Sequence, residues 1–502
     1  MSGTLTALLM GVSSVASTFV MLHYLVKYLP RDEAGIWLLF LTMSSYLVVF
    51  DLGTSPTIGR EISFAVGQPD LTPEARAERI RTLLATGSGI LRILAGALAV
   101  ICGIAGYFYL SSVVNFHTAL GHQTWLSWIV FVLAVAASVS GEIWLAALYG
   151  VGSVATERLL RTAGYVAWVI LSVIVLKSGG GLLALSAAWF YAFAIRLAAR
   201  EIFLIKRKEL RQGGRFNWQL GKSLSGKSLQ YAGTLIGGTL ILYTDNIVIA
   251  SVLGPAYVPN YYAVARLVSA CLAVALLVST ASSPFISAAY SAGRMDEVRR
   301  ITTRNVCTAL TLMASGGCFL AFFAKPLIEL WIGKGNFVGF GVLLIMLTAM
   351  TLEAHHVALA TSTMACDKIP FFIPALVAGF LNLALSFPLA HLFGLPGVAL
   401  GTFLAQVTTN NWYVPWYSLR HLHFQFRSYF LRVVLPVLGL FALFAGCDFV
   451  AHWALRERGN LIQIVAGMAL NGGLLALVVV ALRSTGQSLQ IPAHSAQAQS
   501  GR

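Results

Sequence analysis

Apolar residues along this chain gather into about fourteen runs, each close to twenty residues long and separated by short polar connections. A run of that length, such as Leu5 to Leu25 or Ile462 to Leu482, crosses about 30 Å of hydrocarbon as a helix rising about 1.5 Å per residue. Barrel strands of about ten alternating residues are absent. A continuous helix satisfies its backbone N–H and C=O groups internally where no water is present. The pattern therefore predicts an all-α polytopic membrane protein with spans near 5–26, 34–53, 86–110, 125–148, 163–176, 182–198, 228–252, 262–286, 306–324, 339–360, 370–392, 397–418, 430–451 and 461–482. The first run is too long for a cleaved signal peptide and lacks a small-residue cleavage pattern, so it is expected to remain as a helix.

Composition agrees with the pattern. Hydrophobic residues make up 58% and charged residues 11% of the 502 positions, against about 25% charged in a soluble domain. The net charge of +15 could suggest nucleic acid, but its distribution excludes that reading. About 25 of the 34 lysines and arginines lie on or beside the even-numbered connections and the C-terminal tail, which marks that side as cytoplasmic. Both termini are then expected inside, and the basic excess serves orientation and contact with anionic lipid headgroups. The six cysteines are scattered without metal-like spacing and read as apolar packing residues.

A basic connection, Arg200 to Lys227, follows the sixth span and divides the chain. The expected organisation is an N-terminal lobe over 1–199, a linker over 200–227, a C-terminal lobe over 228–418, two further helices over 419–482 and a disordered cytoplasmic tail over 483–502. Short echoes support a six-helix duplication. Leu29, Ala34, Gly35 and Trp37 correspond to Leu253, Val258, Pro259 and Tyr261, and Ser55-Pro56-Thr57-Ile58 corresponds to Ser283-Pro284-Phe285-Ile286; such repeats recur in transporters. Gly233, Gly237, Gly238, Pro284, Pro374, Pro388 and Pro415 are candidates for loosening or bending helices. The stretch around Pro73 to Arg79 reads as a solvated surface helix.

An ionisable side chain within a span costs about 2.5–3.5 kcal/mol to insert and is a functional candidate by default. The set comprises Asp51, Arg92, Glu142, Arg196, Asp245, Arg266, Glu353 and Asp448, with His23, His355 and His356. Arg196 is expected to snorkel to the cytoplasmic surface, and Asp448 to sit at the interface. For Glu142 and Glu353 two readings stand side by side: an ion pair with an arginine on a neighbouring helix, or a proton or cation site. Glu353 and His356 share a helix face without a third ligand at fixed spacing, so no metal site is expected. The cluster Trp412-Tyr413-Val414-Pro415-Trp416-Tyr417 reads as an interfacial aromatic belt. No nucleotide-binding loop or catalytic triad order is present, and no cofactor is expected.

Two segments carry a family resemblance. Leu29-Pro30-Arg31-Asp32-Glu33-Ala34-Gly35-Ile36-Trp37, followed by Asp51-Leu52-Gly53 and Arg60, resembles the opening of the Wzx-type polysaccharide flippases of the multidrug/oligosaccharidyl-lipid/polysaccharide exporter superfamily. So does Tyr243-Thr244-Asp245-Asn246-Ile247-Val248-Ile249-Ala250-Ser251-Val252-Leu253-Gly254 with Tyr262 to Leu267. The resemblance implies a V-shaped, MATE-like pair of six-helix lobes plus two extra C-terminal helices. It implies a bacterial inner-membrane flippase, not an enzyme, that carries an undecaprenyl-diphosphate-linked glycan outward. Polymerase and glycosyltransferase partners are implied with it. Related murein-lipid flippases hold the diphosphate with cavity arginines, and Arg266 matches such a position; the first helix departs from the pattern, offering Lys27 and His23. The substrate-binding candidates are thus Arg266, Asp51, Arg60, Arg92, Lys27 and His23, and the ion-coupling candidates are Glu142, Asp245 and Glu353. Alternative readings are a cation-coupled multidrug exporter of the same superfamily and a membrane polymerase, ligase or glycosyltransferase. Short outer connections argue against the last.

Overall fold

A computed structural model describes residues 3–47, 51, 53–366 and 371–484 of the chain. It is all-helical among these residues and separates into two compact units, Met1–Pro259 and Asn260–Arg502. The first contains α1 (Gly3–Tyr28), α2 (Arg31–Leu47), α3 (Thr54–Gly67), α4 (Pro73–Val113), α5 (Ala119–Gly141), α6 (Ile143–Gly150), α7 (Val154–Lys177), α8 (Leu182–Ala188), α9 (Tyr191–Lys206) and α10 (Trp218–Val252). From α11 (Val258–Ser291) the chain enters the second, with α12 (Met295–Ile332), α13 (Phe340–Met364), α14 (Phe372–Phe393), α15 (Leu395–Thr408), α16 (Asn410–His421), α17 (Phe426–Tyr429), α18 (Leu435–Leu455) and α19 (Asn460–Ser484). Among the described residues, eleven helical segments are long and apolar enough to cross a membrane. The expected count of fourteen is not reached by that measure. One reason is that α2 has 17 residues and the twelfth expected span is split into helices of 14 and 12.

Local chemistry sets the helix starts. Thr72 precedes Pro73 and its hydroxyl accepts from the Ala75 N–H at 3.3 Å, while Thr118 and Asn217 cap α5 and α10 in the same way. Side-chain oxygens at these positions satisfy N–H groups that have no partner within the helix. The segment expected as a surface helix is instead the first turns of α4, which continues unbroken into its span. Before it lies α3, unforeseen, with Ile58, Ile62 and Ala65 buried against α6. Its entry depends on Gly53, whose φ of 67° is left-handed and suits glycine.

Because lipid tails are as apolar as leucine, burial does little to drive helices together in a bilayer, and close packing at small residues does more. The two segments that carry the family resemblance illustrate this. A Cβ on Gly35 would lie 1.8 Å from the Pro255 carbonyl oxygen, so glycine is required where α2 meets the turn after α10. Farther along, Asn246 donates to the Thr42 hydroxyl at 2.9 Å, and Tyr46 and Thr244 hydroxyls lie 3.0 Å apart. Behind this contact Trp37, Phe40, Trp128, Phe131, Trp168 and Trp189 stack into one aromatic cluster. The basic linker docks on α4 through the Asn217 N–H, which donates to Thr86.

In the second unit α12 is the central element, packed by α13, α18 and α19. Asp448, expected at the interface, is fully buried here; its Oδ1 accepts from Asn471 of α19 at 2.6 Å and its Oδ2 has no hydrogen-bond partner among the described residues. The interruptions in the long helices fall at Glu142, at Trp189–Phe190 and at Thr409. Pro284, Pro388 and Pro415 lie inside α11, α14 and α16, and Gly233, Gly237 and Gly238 lie in the helical backbone of α10. The tail from 485 onward lies outside the described residues.

Candidate functional site

The first unit holds a half-open cavity of about 290 Å³ lined by Ser44, Asp51, Glu142, Arg161, Trp189 and Arg196 among others. Its centre is Glu142, at the break between α5 and α6. Both carboxylate oxygens are occupied. Arg161 of α7 reaches Oε1 at 2.6 Å, and Arg196 of α9 reaches Oε2 through Nη2 at 2.8 Å and Nε at 3.0 Å. The third nitrogen of Arg196 donates to the Ala192 carbonyl at 2.8 Å, and Arg161 also pairs with Glu157. Sequence dictates this meeting in one respect: a Cβ on Gly141 would stand 2.7 Å from the Arg196 Cβ. A glycine one residue before the carboxylate lets α9 approach closely enough for its guanidinium to turn inward. Arg196 therefore points at Glu142 and does not snorkel.

Asp51 lines the same cavity, its carboxylate accepting from the Ser55 hydroxyl at 3.0 Å and N–H at 3.2 Å. Among the residues lining the cavity, the carboxylates of Asp51 and Glu142 equal the guanidiniums of Arg161 and Arg196 in number; Glu157, which pairs with Arg161, does not line it. The charges lining the chamber balance, and its arginines are already engaged. Charged guanidinium donors in fork geometry on a carboxylate form strong, directional hydrogen bonds.

The other candidates lie elsewhere. Lys27 is exposed at the end of α1, 5.7 Å from the Tyr28 ring centre, and His23 meets Tyr24 edge-on at 5.3 Å. Arg60 is exposed over the Phe64 ring and Arg92 is exposed on α4. None of these four lines the cavity. Asp245 is half-buried on α10, between the two residues that bind α2. Arg266 is half-buried on α11 in the second unit, its guanidinium 4.4 Å from the Tyr262 ring centre, with no carboxylate partner among the described residues.

Glu353 of α13 has different company. Its Oε1 lies 3.5 Å from His356 Nε2, and His356 Nδ1 lies 2.8 Å from Asn411 Oδ1 at the start of α16. Glu353 Oε2 is buried without a hydrogen-bond partner, as are Asn411 Nδ2 and both amide atoms of Gln406 in α15. His355 turns to Tyr429, 2.8 Å away. No group of three metal-ligating side chains exists among the described residues.

Sequence reasoning missed Arg161 and Glu157. They fall in a connection between expected spans, where charge is ordinary. The available signal was indirect: a carboxylate in a span demands a cation, and arginines just outside the neighbouring spans are the nearest supply.

No family model matches the chain, and no curated protein matches it. Solved structures do. The chain is similar to the lipid II flippase MurJ in an inward closed conformation, with 15% identity, a TM-score of 0.70, and coverage of 95% of this chain and 100% of that one. It is also similar to an inward-facing multidrug resistance MATE family transporter of the MOP superfamily, at 12% identity and a TM-score of 0.65, covering 84% and 99% of the two chains. A MATE structure in the bent conformation matches at 13% identity and 0.53, over 82% and 94%. At such identities the likeness shows the fold: a multi-pass membrane protein with the architecture shared by MurJ and the MATE transporters.

Proposed function

We propose that this protein is a flippase that moves an undecaprenyl-diphosphate-linked oligosaccharide from the cytoplasmic to the outer leaflet of a bacterial inner membrane by alternating access. The glycan is a repeat unit of O-antigen, capsule or exopolysaccharide. Both termini face the cytoplasm, where glycosyltransferases build the substrate, and a polymerase consumes it outside. The observation that carries the reading is Arg266, a half-buried guanidinium on an apolar helix that faces an aromatic ring and has no carboxylate partner among the described residues. A diphosphate requires such a donor, because an unpaired anion is prohibitively costly in a low-dielectric setting, and arginine offers planar paired N–H groups to phosphate oxygens. The fold shared with a lipid II flippase supports the same class of cargo. Outward movement of two uncompensated negative charges, driven by an inside-negative potential, releases up to about 4.6 kcal/mol per 100 mV.

A second reading, a cation-coupled multidrug exporter, is favoured by the first-unit cavity. Its Trp189, Tyr165 and Tyr191 walls, beside arginines already engaged by carboxylates, suit an aromatic cation. One experiment separates the two. In a strain lacking the gene, Arg266→Ala should be made and folded as well as wild type, yet leave the lipid-linked oligosaccharide in the cytoplasmic leaflet. Normal surface glycan in that strain removes Arg266 as the diphosphate clamp. Drug resistance on overexpression, with glycan unaffected by deletion, establishes the exporter.

A further inference from the structure

Buried polar atoms without partners are rare in proteins and call for an explanation. Several such atoms lie in the second unit, and among them are Glu353 Oε2 in α13 and, on helices that pack against α13, Asn411 Nδ2 at the start of α16 and both amide atoms of Gln406 in α15, itself only 1% exposed. We propose that Glu353 and His356 form a binding site for a single exchangeable proton, and that this proton is the coupling ion of transport; the coupling role rests on the transporter reading above.

Geometry assigns the seats. His356 Nδ1 lies 2.8 Å from Asn411 Oδ1, an oxygen that can only accept, so Nδ1 carries hydrogen and Nε2 is left to gain or lose the second proton. That nitrogen faces Glu353 Oε1 at 3.5 Å. With one proton present, on the imidazole or on the carboxyl group, the pair is neutral overall. Without it, a bare carboxylate is enclosed with a neutral imidazole and no cation, a costly state that favours opening the site. No lysine or arginine among the described residues pairs with Glu353 or His356. Beside Ala354 lie Met313 of α12 and Cys271, Leu272 and Ala275 of α11; α15 brings Gln406, α16 brings Asn411, and His355 is engaged with Tyr429. A sodium ion would need several oxygen ligands, and the carboxylate here faces an imidazole nitrogen.

The test uses the full chain in lipid nanodiscs and follows carboxylic-acid and imidazolium infrared bands as pH is varied at fixed Na+, then as Na+ is varied at fixed pH. The expected result is a reversible band that titrates with pH, ignores Na+, disappears in Glu353→Gln and shifts its midpoint in His356→Asn. Wild-type bands that do not titrate, or that move with Na+, overturn the proposal, and this holds even if both variants misfold. In liposomes, sugar movement indifferent to an imposed pH gradient removes the coupling role. A titrating Glu353 in a protein that moves no lipid-linked sugar supports the proton site while removing the flippase reading.

Discussion

Glu142 and Glu353 fall in the fourth and tenth of the expected spans, and a residue just past a helix break takes part in the setting of each: Arg196, following the α8–α9 break, meets Glu142 directly, and Asn411, following the α15–α16 break, meets the His356 that faces Glu353. Their company differs in kind. Glu142 has both oxygens filled by guanidiniums that stay charged at any physiological pH. Glu353 has one oxygen beside an imidazole and the other without a hydrogen-bond partner. An intramembrane carboxylate held by permanent cations is a fixed structural member, whereas one held by a titratable neighbour can change charge. Of the two readings that sequence leaves open for both residues, the structure shows the ion pair in the first unit, and the proton site is the one proposed for the second.

The most forceful way to break this contrast is Glu142→Gln. The amide keeps the shape but leaves Arg196 without a carboxylate and Arg161 with Glu157 alone. Removing one partner from a fully buried ion pair costs about 3–5 kcal/mol; this network is half-buried, so the loss falls below that range but should still lower the melting temperature of the variant clearly in detergent. Glu353→Gln removes a charge that has no permanent partner and should melt close to wild type. Equal losses in the two variants would dissolve the distinction.

A smaller effect is expected from Gly141→Val. Even the first added carbon falls 2.7 Å from the Arg196 Cβ, so α9 must retreat and its guanidinium must lengthen its reach to Glu142. Overpacking of this kind costs about 1–3 kcal/mol, measured again as a shift in melting. Combined with Glu142→Gln it should add less than its single value, because the contact it disturbs has already gone. Full additivity would mean that Gly141 serves helix packing without serving the ion pair.

These residues also show what is legible in a sequence. Length and apolarity of the runs reveal membrane helices because lipid imposes the same rule on every span. The break at Glu142 is hidden, since Val139-Ser140-Gly141-Glu142-Ile143 reads as continuous helix, and α3 is hidden among polar residues. The charged members of a site are visible one at a time, because each is anomalous within its own helix. Their pairing is not, because Arg161, Arg196 and Glu142 come from three helices whose rotations are set by packing. Asp448 makes the same point: its place at the end of a span suggests water, yet it is buried and bonded to Asn471 on the next helix. The family motifs were legible as motifs, but not the contact between Gly35 and Pro255 that joins them.

The finest test concerns Asn411. If its carbonyl fixes the proton on His356 Nδ1, then Asn411→Ala deletes one neutral hydrogen bond, worth about 1 kcal/mol, and lets the imidazole turn away from Glu353. The loss alone is too small to discriminate, since any buried asparagine would give it. Coupling discriminates. A double-mutant cycle of Asn411→Ala with Glu353→Gln should show an interaction of at least about 0.5 kcal/mol in melting, because both changes act on the same imidazole. The same cycle run with Glu142→Gln should be additive within about 0.3–0.5 kcal/mol, since Asn411 and Glu142 share no partner. Coupling in the second cycle and not in the first would tie Asn411 to the fixed ion pair and strip the second-unit carboxylate of its distinct role.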